Sequence, residues 1–294
     1  MNPAARLHRE LRAGRRRLQP AERWSRRALG DLAAWRSGER DPRVPPRRLG
    51  LPSFLPAVLD RTVEAAILEA GGLGPGTRML DVGCGPGQIA IRVAPHLGTG
   101  LYEGLDVSPR SIEWCRTRVA PTDSRLGFTL VDVGNGLYNP AGTGDATDLT
   151  FPYPDDCFDL AFAGSLFTHL EPRESAHYLA EVARVLRPGG RIVATWYLIN
   201  DEATGLLERG AGQVPLGSSE PMRLDHELTD ADGWRMWTTH PRIPEQLIAV
   251  AEGDVAGFHE RAGLGVSEIR RGHWCGRPRE DGRLGQDIIV ADAA

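Results

Sequence analysis

The stretch MLDVGCGPG, Met79–Gly87, places three glycines directly after a short apolar run. The apolar run predicts a strand at 77–82, and the residues that follow, QIAIRVAP, predict a helix at 88–97. In an open parallel sheet, a turn of this kind lies at the carboxyl end of a strand, where ligands bind. The stretch therefore predicts a site at which backbone approaches a ligand closely, and its neighbours must indicate which ligand.

The spacing around this turn favours one class of ligand. The glycines run G-x-G-x-G, whereas the dinucleotide fingerprint requires G-x-G-x-x-G, and Gln88 stands where its third glycine belongs. Asp81, two residues before the first glycine, repels a diphosphate and attracts an ammonium group; an alternative is that it caps the turn through its own backbone. Asp106 ends the next predicted strand, 100–106, and can accept hydrogen bonds from ribose hydroxyls. Together these residues favour an adenosyl ligand with a cationic tail.

Composition excludes several function classes. The 294 residues are 41% hydrophobic and 25% charged, which fits one large or two small globular domains with a core. All 35 basic residues are arginine, so Schiff-base lysines and the phosphate-binding lysines of P-loops and kinases are excluded. The four cysteines have no zinc-site spacing, and we expect no metal. Without a signal peptide pattern or an apolar span, we expect a cytoplasmic protein.

The N-terminal region differs from the rest of the chain. Residues 1–50 carry a net charge of +9, although the whole chain carries -4. Two Arg-rich helices are predicted within 4–36, followed by a proline-marked connection, so we assign 1–56 as a helical extension and linker. A basic helix can contact anionic lipid or nucleic acid. Its irregular apolar spacing and the lack of an aromatic stacking platform instead favour an arm packed on its own domain or on a second subunit. We therefore expect no nucleic-acid partner, and a homodimer fits.

From residue 57 onward, predicted helices alternate with short apolar strands. Runs such as IVATW are too continuous for half-solvated strands, which predicts a mostly parallel sheet covered on both faces. The predicted fold class is α/β, doubly wound. Residues 200–240 are irregular and punctuated by proline and glycine, as is typical of a functional insertion or lid. The predicted helices are 57–70, 109–120, 172–186 and 243–262, and the further strands are 126–132, 158–164, 190–198, 264–271 and 286–291.

Four motifs carry a family resemblance over about residues 57–200. LDVGCGPG, GLDVSP, FPYPDDCFDLAFAGSLFTHL and YLAEVARVLRPGGRIVATWY resemble, in this order, the class I S-adenosylmethionine-dependent methyltransferases. The resemblance implies a Rossmann-like seven-stranded sheet with an antiparallel last strand, supplied by GQDIIVADA, and S-adenosylmethionine as cofactor. We assign 57–294 as the methyltransferase domain, with insertions at 133–156 and 200–240 forming the acceptor pocket and lid. NGLYNPAGTG and SLFTHL resemble a bacterial subset often found beside sugar-transferring enzymes, which leaves the substrate open.

The resemblance also implies cofactor contacts residue by residue. Asp81 and the glycine turn would face the methionine part, and Asp106 would bind the ribose hydroxyls. An acid after the third strand would meet the adenine amino group; we prefer Asp132 because it directly ends an apolar strand, and a competing register places that role on Asp145. The implied cofactor-binding residues are Asp81, Gly83, Cys84, Gly85, Gly87, Asp106, Val107, Asp132, Val133 and Ser165.

His169 is the predicted general base. Methyl transfer to a hydroxyl is an in-line displacement in which the protein aligns the reactants and removes a proton, without a metal. His169 in GSLFTHL lies just past the fourth predicted strand, and a neutral imidazole accepts a proton near pH 7. The alternative is a histidine that hydrogen-bonds the next helix or lines the pocket. Weaker candidates are His177, His226 and His240.

The acceptor is the least defined part of the prediction. Tyr138, Trp234 and Trp237 are candidates for an apolar acceptor wall, although lid packing also explains the tryptophans. No NPPY-type motif for nitrogen acceptors follows the fourth strand, which favours oxygen. We expect an O-methyltransferase acting on a small-molecule hydroxyl of a sugar, glycan or secondary metabolite, with N- or C-methylation open. The alternatives are an NAD(P)-dependent oxidoreductase, against which Gln88 counts, and a non-catalytic cofactor-binding scaffold.

Overall fold

A computed structural model describes residues 41–45, 63–210, 223–230, 232–278 and 285–294. Contacts divide the chain into two units, Met1–Phe54 and Leu55–Ala294. The Arg-rich helices predicted within 4–36 lie outside the described residues. All helices and strands of the described residues belong to the second unit, and no helix among them is long and apolar enough to cross a membrane.

The second unit alternates strands and helices along the chain. A helical segment at 63–70 precedes the first strand and ends in a π-helical turn, Ala66–Ala70. The strands are β1 (Arg78–Val82), β2 (Leu101–Asp106), β3 (Leu126–Leu130), β4 (Phe158–Ala163), β5 (Leu186–Trp196), β6 (Leu198–Ile199), β7 (His226–Thr229), β8 (Arg235–Thr238), β9 (Ile248–Ala251), β10 (Leu264–Arg270) and β11 (Asp287–Ala293). The helices are α1 (Gln88–Val93), α2 (Pro109–Trp114), α3 (Pro172–Val185), α4 (Asp201–Glu208) and α5 (Glu252–Arg261).

A seven-stranded sheet forms the centre of this unit, in the order β10-β11-β5-β4-β1-β2-β3. Strands β1 to β5 pair in parallel, whereas β11 runs antiparallel to both β5 and β10. The predicted doubly wound α/β fold with an antiparallel last strand is confirmed. Because the five parallel strands end at one edge, the loops that follow them meet there.

Apolar side chains cover both faces of this sheet. Met79 and Tyr102 point into one buried cluster, and Leu80 and Leu105 into the other, so successive residues of a strand fill opposite sides. Burial on both faces explains why runs such as IVATW are continuously apolar. The sheet is therefore a rigid base, and what varies above it is the set of loops at its carboxyl edge.

A second, four-stranded sheet was not predicted. Its order is β6-β9-β8-β7, with β6 parallel to β9 and the other pairs antiparallel. The helix predicted over 243–262 is wrong in its first part, because Ile248–Ala251 is strand β9 and the helix begins at Glu252. A four-residue apolar run fits a strand or a buried helix equally well, and here pairing with β6 and β8 decides.

A buried carboxylate fixes the start of β11. Asp287 accepts hydrogen bonds from the backbone N–H groups of Leu198 and Gly272 and from the Trp274 indole, at 2.6 to 3.0 Å, and lies beside Arg277. These bonds compensate for the burial of the charge. They also fix the neighbouring Gln286 at the carboxyl edge of the sheet.

Candidate active site

The glycine turn leaves β1 in a conformation that favours glycine. Gly83, Gly85 and Gly87 have φ values of +78°, +52° and +80°. The N–H groups of Gly83 and Cys84 donate to the Leu105 carbonyl at 2.7 and 3.1 Å, which ties the turn to β2. A Cβ built on Gly85 would have no atom within 4 Å, whereas one on Gly87 would meet the Cys115 Sγ at 3.1 Å. The turn is thus packed from behind at Gly87 and open at Gly85.

Asp106 closes the turn from the end of β2. Its Oδ2 accepts from the Gly85 N–H and its Oδ1 from the Ser108 N–H, both at 2.7 Å. Burial raises the pKa of the Asp106 carboxyl, and these backbone hydrogen bonds oppose the rise. Each oxygen keeps a lone pair that can accept from a hydroxyl group. The structure therefore joins the two features, 21 residues apart, that the sequence assigned to one ligand.

Asp81 lies in β1, two residues before the turn, and is 1% exposed. The Tyr102 hydroxyl donates to its Oδ2 at 2.5 Å, and this contact takes the place of the backbone cap considered above. Burial raises the pKa of Asp81 to about 7; the Tyr102 hydrogen bond lowers it and the charge of Asp106 adds to the rise. Two carboxyl groups that share one region favour a cationic ligand, which would hold both in the charged form.

The two rival adenine acids lie side by side. Asp132 follows β3 and accepts from the Thr143 N–H and Oγ1 at 3.2 and 2.7 Å, while Val133 is buried and pairs with Gly144. Asp145 comes directly after this pairing and accepts from the N–H and hydroxyl of Thr147. Both carboxylates are exposed, and hydrogen bonds lower the pKa of each. Exposure and hydrogen bonding therefore do not distinguish Asp132 from Asp145 as the adenine contact. Only their positions in the chain differ, since Asp132 closely follows β3.

Ser165 lies in the loop after β4 with a φ of +56°. This left-handed conformation is uncommon for serine, and such strain concentrates at ligand sites. Its N–H donates to Thr195 Oγ1 at 2.7 Å and its hydroxyl to Gln286 Oε1 at 2.9 Å. The start of the loop is thereby fixed to β5 and to the residue before β11. The remaining two predicted residues, Val107 and Cys84, pack into the core beside the turn.

His169 lies in the same loop, just before α3, and its two ring nitrogens differ. Nδ1 lies 2.8 Å from the backbone carbonyl of Glu245, and Nε2 lies 3.3 Å from the Tyr138 hydroxyl. A carbonyl only accepts, so Nδ1 carries the proton and Nε2 of the neutral ring carries the lone pair. Burial lowers the pKa of His169, and the Glu245 carbonyl partly opposes this shift.

The other aromatic and histidine candidates have different neighbours. Trp234 packs against Phe258, with a centroid distance of 4.7 Å, under the guanidinium of Arg261, which fits the packing alternative. His177 Nε2 contacts the Leu149 carbonyl at 2.7 Å from within α3. The Glu245 carbonyl was missed by sequence reasoning because a backbone acceptor 76 residues away leaves no pattern.

Comparison with known proteins identifies a methyltransferase domain in the chain. Residues 79–190 match the model of a family described as a methyltransferase domain, and the matched range runs from within β1 to within β5. This range is a methyltransferase domain, and the relatives support the class I S-adenosylmethionine-dependent kind. The cofactor is S-adenosylmethionine, as the resemblance implied. A methyltransferase domain also counts against the alternative of an NAD(P)-dependent oxidoreductase.

Individual relatives are similar over part of their length. The chain is 32% identical over 133 residues to the 27-O-demethylrifamycin SV methyltransferase of Amycolatopsis mediterranei, covering 45% of this chain and 42% of that one. It is 28% identical over 220 residues to the demethylmenaquinone methyltransferase of Streptomyces avermitilis, covering 72% and 83%. The chain spans about half the length, or less, of several curated relatives that it matches.

One solved structure shares the fold of this methyltransferase chain. A geranyl diphosphate methyltransferase, solved with GPP and sinefungin, superposes with a TM-score of 0.50 at 14% identity over 80% of each chain. At this identity the likeness shows the fold alone.

The substitution Gly85→Ala tests whether the cofactor occupies the open side of the turn. A Cβ there adds left-handed strain of about 1 kcal/mol to the folded state and fills the open space. We expect a small loss of stability in urea and weaker S-adenosylhomocysteine binding by calorimetry. Gly189→Ala is the matched control. Gly189 has a φ of +74° and equally open surroundings, but it lies near the amino end of β5, where β5 pairs with β4, and not at the carboxyl edge that carries the glycine turn. Equal affinity losses in both variants would contradict a cofactor seat at Gly85.

Proposed function

We propose that the chain transfers a methyl group from S-adenosylmethionine to a hydroxyl group of a small molecule, with His169 as general base. The observation that carries this proposal is the orientation of His169. Its Nδ1 is held by the Glu245 carbonyl, so its Nε2 lone pair is the proton-accepting position, in a loop at the carboxyl edge of the sheet. The relative from Amycolatopsis is named for methylation at an oxygen, which supports the same acceptor atom.

The cofactor residues fit an adenosyl ligand with a cationic tail. The open side at Gly85 admits a ligand close to backbone, Asp106 keeps acceptor capacity for ribose hydroxyls, and the paired carboxyls of Asp81 and Asp106 favour a positive charge. We assign the adenine contact to Asp132 with Val133, with Asp145 as the competing position. When bound, S-adenosylmethionine supplies the methyl group as a substituent of an activated sulfonium.

The residues of the chain perform the remaining chemistry. His169 Nε2 takes the proton of the acceptor hydroxyl as the oxygen becomes nucleophilic, and the Glu245 carbonyl stabilises the imidazolium that forms, because it accepts from Nδ1. Burial of His169 keeps the ring neutral before the transfer. Alignment of the acceptor by the surrounding loops lowers the activation barrier of such reactions, by on the order of 7–11 kcal/mol at most.

We place the acceptor between the insertion at 133–156 and the segment that follows β8. Tyr138 and Glu245 approach His169 from these two sides, and Gly136 lies against the Glu245 carboxylate. Leu137 and Ile243 are 43% and 41% exposed on these same segments, which supports an acceptor with an apolar portion. Strands β7 and β8, which lie within the insertion at 200–240, would cover this space as part of the lid.

Two measurements on the full chain test the proposed activity. Calorimetric titration should show binding of S-adenosylhomocysteine and none of NADH. Incubation with S-adenosylmethionine carrying an isotopically labelled methyl group should transfer the label to hydroxyl-bearing acceptors, read by mass spectrometry as the gain of one methylene unit. Binding without transfer to any of a broad set of sugars, glycans and secondary metabolites would favour the scaffold alternative. Label on nitrogen or carbon would correct the acceptor atom.

A further inference from the structure

The Tyr138 side chain meets the reactive nitrogen of His169. Its hydroxyl lies 3.3 Å from Nε2, and the two rings are edge to face, with centroids 5.5 Å apart and planes 77° apart. Because Nδ1 is the protonated nitrogen, Nε2 can only accept in this pair, and Tyr138 is the donor. In the structure, therefore, a protein hydroxyl already occupies the position where an acceptor hydroxyl would donate.

The loop that carries Tyr138 is held by its own hydrogen bonds. Asn135 Oδ1 accepts from the N–H groups of Leu137 and Tyr138, each at 3.0 Å, and the backbones of Asn135 and Asn139 exchange two hydrogen bonds of 3.0 Å. The buried Asn139 side chain donates to the Val133 carbonyl at 3.0 Å. This network fixes the backbone of Tyr138, so the hydroxyl reaches Nε2 from a preformed turn.

Tyr138 also keeps its proton at every pH at which His169 titrates. Burial raises the pKa of Tyr138 to about 12, and the charge of Asp106 adds to the rise. Tyr138 is thus a permanent donor and cannot itself act as the base.

We propose that Tyr138 is a positioning residue of this site: its hydroxyl occupies Nε2 of His169 and holds the ring neutral until an acceptor hydroxyl replaces it. This inference rests on the proposed function for the identity of the incoming hydroxyl. Nε2 has one lone pair, so the two hydroxyl groups cannot both donate to it. At 3.3 Å the bond to Tyr138 is long, which favours the exchange.

The protonation of His169 is the observable that this pairing controls. A donor to Nε2 stabilises the neutral ring and so lowers the pKa, and its removal raises the pKa. Other titratable groups lie on the neighbouring elements: Asp106, whose charge acts on Tyr138, Glu245 after β8, and Glu171 and Glu174 at the start of α3, on which the charge of Glu245 acts. Burial raises the pKa of Glu174 to about 7, although the Glu171 N–H that donates to its carboxylate lowers it, so the titration of His169 must be read from its own ring.

The experiment compares Tyr138→Phe with the wild-type chain. Imidazole resonances of the full-length protein are titrated by NMR without cofactor or acceptor, and His169 is assigned by its absence in His169→Gln. We expect the pKa of His169 to rise by about half a unit in Tyr138→Phe. Tyr153→Phe is the matched control; it removes the same oxygen from a tyrosine packed edge to face on Phe158, and should leave His169 unchanged. An unshifted His169 in a folded Tyr138→Phe protein overturns the proposal.

Kinetics supply a second readout that a purely structural role would not move. The acid limb of kcat/KM reports the free protein, so its apparent pKa should rise in Tyr138→Phe by the same half unit. The apparent pKa of the acid limb of kcat should stay the same, because in the complex with the acceptor Tyr138 has already left Nε2. Equal movement of both limbs would contradict the exchange. If no acceptor is methylated, the proposed function fails, and the NMR titration still decides the pairing.

Discussion

His169→Gln is expected to lower kcat by roughly 10²–10⁴-fold, the usual contribution of a positioned general base. Glutamine is of similar length and can keep the hydrogen bond to the Glu245 carbonyl, but its amide does not accept a proton near neutral pH. Affinity for S-adenosylhomocysteine should stay within about twofold, because the ring contacts Tyr138 and Glu245 and not the glycine turn. Single-turnover rates with labelled cofactor, together with calorimetry, measure the two effects separately.

The control for this variant is His177→Gln. His177 lies eight residues further on, within α3, with one ring nitrogen hydrogen-bonded to the Leu149 carbonyl, and glutamine can replace that contact. Its kcat should equal that of the wild-type chain. A His169→Gln protein that turns over at the wild-type rate would exclude His169 as base and leave it as a pocket-lining residue.

The same assignment fixes the direction of the pH dependence. Only the neutral ring accepts a proton, so activity rises with pH through the pKa of His169. Burial lowers that pKa below its ordinary value, and the acid limb of kcat/KM should accordingly lie below about 6.5. This limb should disappear in His169→Gln. A limb that persists there would come from another group, and Glu174, with its pKa raised to about 7, is the first to examine by Glu174→Gln.

The parts of the fold that the sequence predicted are those with local signals. A five-residue strand, a glycine turn and a helix follow each other at Arg78–Val93, so no distant residue is needed to recognise them. The antiparallel last strand could be predicted because GQDIIVADA contains an apolar run, and because the resemblance to the methyltransferases implies a last strand of this kind. By contrast, β9 depends on β6 and β8, about fifty and ten residues earlier, and a short apolar run before a helix does not indicate such pairing.

The contrast between local and distant signals also applies to the two halves of the site, the cofactor half and the acceptor half. Gly85 follows β1 and Asp106 ends the neighbouring parallel strand β2, and topology brings strand ends together, so the two could be assigned to one ligand from the sequence. The half in which we propose the acceptor lies on loops, where the Glu245 carbonyl contacts Nδ1 of His169 and the Tyr138 hydroxyl contacts Nε2. The sequence suggested Tyr138 as a candidate for the acceptor wall and His169 as the candidate base, but only the fold brings the two side chains together.

Asp106→Asn is expected to weaken S-adenosylhomocysteine binding by about 10- to 150-fold, equivalent to about 1.5–3 kcal/mol for hydrogen bonds to a charged group. The carboxylate accepts from Gly85 and Ser108 and would also accept from ribose hydroxyls; asparagine offers one acceptor oxygen, and its NH2 group must face one of two N–H donors. Calorimetry at constant pH measures the loss, and urea unfolding measures any accompanying destabilisation.

Asp159→Asn separates loss of the ligand contact from loss of a structural carboxylate. Asp159 also accepts a backbone N–H, that of Arg78 at 2.7 Å, but it lies at the amino end of β4, away from the glycine turn. Its variant should lose stability without losing affinity. If Asp106→Asn behaved in the same way, the Asp106 carboxylate would serve only to close the turn, and the ribose would have to be held by another donor or acceptor above β2 and β3. A selective loss of affinity instead requires that Asp106 serve both purposes, because the two N–H groups that hold it leave its remaining lone pairs to the ligand.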